Sequence, residues 1–437
     1  MKLVNRMLIG AACAALLIIS WAVAAGVKPD GEKQALLVQE AEALIADKIY
    51  VRAIPLLTEA AAYRTGDTFE VEALLKETYL QLIDQRAYRT GYEALLEVQC
   101  ARADAPPAVF EEWALFLMNT RRYNDGLSVL KQGIAQTGSE ALIELYEARR
   151  YEYYVSVVDY DDVTVIFNGM IQVQKDGLWG LAAGNGTLVL PCEYEQISTY
   201  SGNRAIVRKD GEIYAVNRAN NRIALLHTEA VGIGNFASDR AMVQTKDGWI
   251  RATGELRAGT EVFDAVGMYA YGYAPVSQNG KWGVRDTGSE WLIPPEHKGI
   301  VQDALGICMG QNAVFVRLDS GVVRYVNGQP AGSTYQDAKP FGAAGYAAVC
   351  KDGLWGFIDA NGNEVIPFEF DDAKSFAQHL AAVKVGELWG YVSLDGRMIW
   401  EPQFLEAESF VDGSAPVLTD TGWKFIMLRE FDEGATL

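Results

Sequence analysis

The chain has 437 residues, half of them hydrophobic and 22% charged, the balance of a folded protein of two or three domains. Asp and Glu number 57 against 38 Lys and Arg, a formal charge of −19, and no basic run interrupts it, which excludes recognition of nucleic-acid or lipid phosphate through a basic surface. The five cysteines, Cys13, Cys100, Cys192, Cys308 and Cys350, form no CxxC pair, which argues against a zinc ribbon or a dense disulfide framework.

At the start, Lys2 and Arg6 precede an uncharged run, Met7–Val27. A run of about 20 apolar residues suffices for a bilayer-spanning helix. Residues 1–29 are therefore expected to be a signal anchor, with the N-terminus inside and the bulk of the chain extracellular, single-pass in the cytoplasmic membrane. The alternative is a signal peptide cut after Ala22-Val23-Ala24, giving a secreted chain. The apolar run continues through that site, which favours the anchor.

Residues 30–152 are rich in Ala, Leu and Glu with helical spacing of apolar positions. Three stretches align as Tyr-x-x-small-x-x-x-Leu: Tyr50/Ala53/Leu57, Tyr88/Gly91/Leu95 and Tyr123/Gly126/Leu130. The intervals between the tyrosines, 38 and 35 residues, lie near a period of about 34. The pattern resembles the second helix of tetratricopeptide repeats. Ala41 and Ala114 suit the small position of the first helix, and Tyr79 does not. An irregular helical bundle is the alternative. Both predict about three helical hairpins and a last helix near Ser139–Tyr151, with Pro106-Pro107 at a helix start.

From residue 153 to 430 the text changes to Val, Ile, Tyr, Gly and Asp-Gly or Asn-Gly pairs, the signature of strands and turns. An aromatic slot recurs at Tyr160, Tyr194, His227, Phe263, His297, Tyr335, Phe370 and Phe404, at intervals of 34, 33, 36, 34, 38, 35 and 34 residues. Each is followed by a strand, a tight turn and a Trp-led strand, best preserved in KDGLWG (Lys175–Gly180 and Lys351–Gly356), GKWG and GELWG. The Trp-Gly pairs are Trp179-Gly180, Trp282-Gly283, Trp355-Gly356 and Trp389-Gly390.

This array resembles the WG-repeat family of bacterial proteins, which has no well-defined common activity. A unit of this length cannot bury its own apolar face, so units must stack. The predicted fold class is thus α+β multidomain: an N-terminal transmembrane helix, tetratricopeptide-like hairpins and an all-β domain of about eight units, followed by a tail at 431–437. Because the array starts on an aromatic-slot strand and ends on a bare hairpin, an eighth unit assembled from both ends is favoured, as in a closed propeller. An open, strongly curved array is the alternative.

No H-E-x-x-H, G-x-S-x-G, Walker or Rossmann pattern appears, so no catalytic residue, cofactor or metal site is expected. His227 and His297 fill the aromatic slot, and His379 a turn slot. The acid pairs in FDDAKSF and YDDVTVIF recur in register, which points to turn capping rather than calcium. Tyr269, Tyr271 and Tyr273 stand outside the repeating slots and are the candidate ligand contacts. The expected function is a non-enzymatic, exported and membrane-anchored binding or scaffold protein. Its partners would be a protein or a cell-envelope polysaccharide, with no nucleic acid. The alternative is a glycan-active enzyme using Asp and Glu of the β domain.

Overall fold

The structure, a computed structural model, describes residues 31–63 and 68–429. They divide into two compact units at Arg150/Tyr151. The first holds seven helices among the described residues: α1 (Gly31–Ala46), α2 (Tyr50–Ala62), α3 (Thr68–Leu80), α4 (Arg86–Cys100), α5 (Pro107–Asn119), α6 (Tyr123–Thr137) and α7 (Glu140–Arg150). Pairs of helices approach closely at the small residues of the sequence pattern. Ala41 on α1 and Ala53 on α2 are fully buried in one cluster. A Cβ added to Gly126 on α6 would stand 2.8 Å from the Ala114 carbonyl oxygen on α5. Tyr79 breaks the small-residue pattern, and Gly91 compensates: a Cβ there would meet the Tyr79 ring at 2.7 Å. Pro107 opens α5, where its missing N–H costs nothing.

The second unit is all β, with eight four-stranded sheets among the described residues. Blades 1 to 7 span residues 162–194, 196–225, 232–263, 265–297, 299–335, 337–370 and 372–404. Each runs from an inner strand, two residues long except in blade 3, through a hairpin to an outer strand. The hairpin turns follow from Asp-Gly. Asp176 and Gly177 have φ of 52° and 79°, and Asp352 and Gly353 have 53° and 84°. Two successive left-handed residues make the turn whose twist matches antiparallel strands.

Blade 8 is built from both ends of the unit. Strands at 406–407, Ser414–Thr419 and Gly422–Leu428 come from the C-terminal side. The outermost strand is Tyr153–Val155, antiparallel to the last, with Tyr154 opposite Met427. Further along, Tyr160 bridges Trp423. Joining the first and last segments in one sheet closes the ring, and the open array is set aside.

The expected membrane helix and the placement built on it are corrected. No helix among the described residues is long and apolar enough to cross a membrane. The longest, α1, has 16 residues and includes Glu32, Lys33, Glu40 and Glu42, short of the roughly 20 apolar residues a span requires. Met7–Val27, where the anchor was expected, lies outside the described residues, as does the 431–437 tail. A single-pass anchor with the bulk of the chain extracellular is therefore not supported. The fold is a helical region followed by eight blades.

Candidate functional site

The Trp-Gly pairs sit on the third strand of their blades. Trp179, Trp282, Trp355 and Trp389 lie opposite Tyr194, His297, Phe370 and Phe404, the aromatic slot at the end of the outer strand. Trp355 and Trp389 are buried, while Trp179 and Trp282 are half-buried. The glycines serve close approach rather than a turn: none of the four has positive φ. A Cβ on Gly180, Gly283, Gly356 or Gly390 would stand 2.6, 2.4, 2.8 or 2.4 Å from a carbonyl oxygen of the outer strand. The outer strand shifts register just beyond each Trp, so its backbone presses onto the glycine. Gly390→Ala should therefore cost about 1–3 kcal/mol through overpacking, read as a lower melting midpoint. An unchanged midpoint would mean that the outer strand has room to move.

The recurring carboxylates cap turns. Asp161 Oδ2 accepts the Asp176 N–H at 2.6 Å, Asp264 Oδ2 that of Gly280 at 2.7 Å, and Asp371 Oδ2 that of Gly386 at 2.7 Å. Glu195 and Gln336 do the same for Asp210 and Gly353. Among the described residues no group of three or more His, Cys, Asp or Glu side chains is placed to hold a metal ion.

The three candidate tyrosines separate. Tyr269 is 2% exposed and packs with Met242 and Ala274. Tyr273 is half-buried against the cluster of Ile300 and Cys308. Tyr271 alone presents its ring, at 70% exposure. Of the histidines, His227 is exposed, His379 is half-buried, and His297 meets Tyr325 edge-on at 5.6 Å.

Around the inner strands, charge is concentrated in blades 5 to 8. Lys374 lies 5.3 Å from the centre of the Trp389 ring in its own blade. Its Nζ reaches Glu408 Oε1 at 2.9 Å and Glu406 Oε1 at 3.4 Å in the next. Lys339 repeats the device, 4.8 Å from the Trp355 ring centre and 3.8 Å from Asp372 Oδ1. Burial opposes the Lys374 charge, but Glu408 and Glu406 hold its pKa above the ordinary value. These pairs tie neighbouring blades together. On the other side the inner contacts are uncharged: Gln172 Nε2 donates to Asn235 Oδ1 at 3.1 Å, and Thr199 Oγ1 to the Phe236 carbonyl at 2.7 Å.

A loop of blade 5 crosses the axis between these halves. Leu305 and Ile307 pack with Ala237 of blade 3, Met268 and Ala270 of blade 4, and Val165 and Phe167 of blade 1. Asn235 Nδ2 donates to the Leu305 carbonyl at 3.0 Å. Blade 1 stands opposite blade 5 in a ring of eight, so the loop fills the axial channel. Sequence reasoning missed this plug, whose only trace is the long interval between His297 and Tyr335. Asp303 folds it, accepting the N–H groups of Leu305 at 2.9 Å and Ile307 at 2.8 Å. Burial pushes the Asp303 carboxyl up to about 6, and the nearby Glu408 adds to the shift.

That shift has a signed consequence. Between the ordinary carboxylate range near 4 and about 6, the folded protein keeps a proton that the unfolded chain has released. This stabilisation is present below pH 4 and is lost as pH rises through about 6. Asn at 303 keeps the accepting oxygen and carries no charge. Asp303→Asn should melt above the unsubstituted protein at about pH 8 and converge with it near pH 4. A gap independent of pH would trace the effect to packing.

A closed ring of eight four-stranded blades with a filled axis defines a β-propeller. The family model for the WG containing repeat matches residues 159–179, 180–212, 261–282, 333–355, 355–389 and 389–423. The β unit is that of a WG-repeat protein. The matches fall wholly within this unit and do not establish a tetratricopeptide character for the helices. No curated protein matches the chain. Among solved structures, KlHsv2 with loop 6CD replaced by a Gly-Ser linker is similar at 9% identity over 60% of this chain and 96% of its own, with a TM-score of 0.35. A eukaryotic initiation factor shows 12% identity over 59% and 78%, with a TM-score of 0.39. The Neurospora crassa Pan2 WD40 domain shows 10% over 62% and 91%, with a TM-score of 0.36. None of these similarities bears on what the chain binds.

Proposed function

We propose that the protein is a non-enzymatic binding or scaffold module whose propeller engages a protein partner. The observation that carries this reading is the commitment of the recurrent side chains to the fold. The tryptophans pack, the repeated carboxylates cap turns, and the inner lysines tie blades together. What remains is a rigid ring presenting loop ends, which suits recognition. A protein partner is favoured over a glycan because stacking on a sugar needs an open ring face, and two of the three candidate tyrosines have theirs packed.

The test is chemical cross-linking of the full chain in its own cells, with a parallel panel of purified glycans. The expected result is a defined protein partner that binds the purified chain saturably, with no glycan turned over. Turnover abolished by a single Asp or Glu substitution would replace this reading with that of a glycan-active enzyme. Saturable glycan binding without turnover would change the partner class.

A further inference from the structure

The turns between the second and third strands and the linkers into the inner strands share one face of the propeller, because the linker acids cap those turns. On this face apolar side chains are exposed in blades 6, 7, 8 and 1. Leu354 is 38% exposed, Val385 44%, Leu405 in the linker to blade 8 51%, and Leu178 39%. These blades are consecutive around the ring, because closure sets blade 8 beside blade 1. The slot of Leu178 and Leu354, paired across the turn with Lys175 and Lys351, holds Glu212 in blade 2 and Lys281 in blade 4. Val231, at the register of Leu405 in the linker to blade 3, is also 55% exposed but stands apart from these four, beyond blade 2.

The charges around it are mostly acidic, the exposed exception being Lys351, whose Nζ lies 5.6 Å from the centre of the Phe368 ring. Asp176, Asp352, Asp371, Glu387 and Asp420 are exposed on the same turns and linkers. Lys175 is already engaged, with Nζ 3.4 Å from both Asp159 Oδ2 and Asp161 Oδ1. Resting on the reading that the propeller binds a protein, we propose that this arc is its docking site. The occupant is a basic segment of the partner, with apolar side chains between its Lys and Arg residues. The apolar contacts supply the holding energy, and the carboxylates supply steering and discrimination. The chain's net charge of −19 works in the same direction by repelling acidic competitors.

The test uses the full chain and the combined variant Leu178→Ser, Leu354→Ser, Val385→Ser and Leu405→Ser, with melting curves to confirm folding. Should that variant not fold, Leu178→Ser with Leu354→Ser takes its place. The probes are fluorescent peptides of about 15 residues alternating Lys with Leu, Lys with Ser, or Glu with Leu, read by anisotropy near 0.15 M salt, where the Debye length is about 8 Å. The unsubstituted chain should bind the Lys/Leu peptide at least about tenfold more tightly than Lys/Ser and should not bind Glu/Leu. The variant should bind Lys/Leu no better than Lys/Ser. Ile223→Ser, on the outer strand of blade 2, should change nothing. Equal binding of Lys/Leu by variant and parent, or binding of Glu/Leu, would overturn the docking site. The wider reading fails separately, if cross-linking yields no protein partner.

Discussion

Replacing Trp389 by Ala should lower the stability of the propeller by about 3–5 kcal/mol, the range for deleting a fully buried large aromatic. Trp389 is 2% exposed and packs among Leu380, Tyr391, Phe404 and Phe410. The substitution removes more than contacts with these neighbours. Lys374 would lose the ring beneath its ammonium while remaining half-buried between Glu406 and Glu408. Because the indole N–H has no acceptor among the described residues, Trp389→Phe should cost much less. Trp179→Ala, at a half-buried position, should fall between the two. Thermal melting and chemical denaturation of the three variants give the order. If Trp389→Ala melts like the parent but loses partner binding, the indole is a ligand contact and not a packing residue.

Ser156→Pro should open the ring. The Ser156 N–H donates to the Phe425 carbonyl at 2.8 Å, and its Oγ accepts the Phe425 N–H at 3.0 Å. Proline removes both and leaves a buried carbonyl unpaired, on the order of 2–4 kcal/mol. Ser156→Ala removes only the side-chain acceptor, about 1 kcal/mol. The consequence of Ser156→Pro should spread, because the same seam carries further bonds. Tyr160 OH donates to the Gly186 carbonyl at 2.8 Å, and Ser414 Oγ to that of Gly184 at 2.6 Å. Hydrogen exchange should show lost protection at Ser414–Leu428, more than 250 residues from the substitution, and in blade 1 as well. In a stack held only by nearest neighbours, damage would stay at residues 153–160. That outcome would mean that the closing strand is decorative.

Much of the β unit is legible in the text because its rules are local. A turn of two left-handed residues needs Asp-Gly, and it appears as Asp176-Gly177 and Asp352-Gly353. A bulged strand lying on its neighbour needs glycine, and it appears as the Gly after Trp179, Trp282, Trp355 and Trp389. Asp161 and Asp371, from the two acid pairs that recur in register, cap turns about 15 residues ahead of them. The tyrosines of MYAYGYAP mislead for a related reason. Residues outside the repeating slots are not thereby on the surface, and Tyr269 faces a core that the repeat alone does not reveal. The helical region repeats the lesson at Tyr79, whose bulk is matched by a missing side chain at Gly91.

The sequence by itself therefore determined the number of units, the residues that fill their slots except in blade 2, where Leu226 and not His227 lies against Ile213, their turns and the change from helix to strand, since each depends on neighbours within one period. Only the tertiary structure decided the rest. The pairing of Tyr160 with Trp423, the crossing of the axis by Leu305 and Ile307, and the joining of Leu405 to Leu178 in one exposed arc all depend on ring closure. Closure is a property of the summed rotation from blade to blade. It brings together residues hundreds of positions apart, and no local pattern of residues encodes that sum.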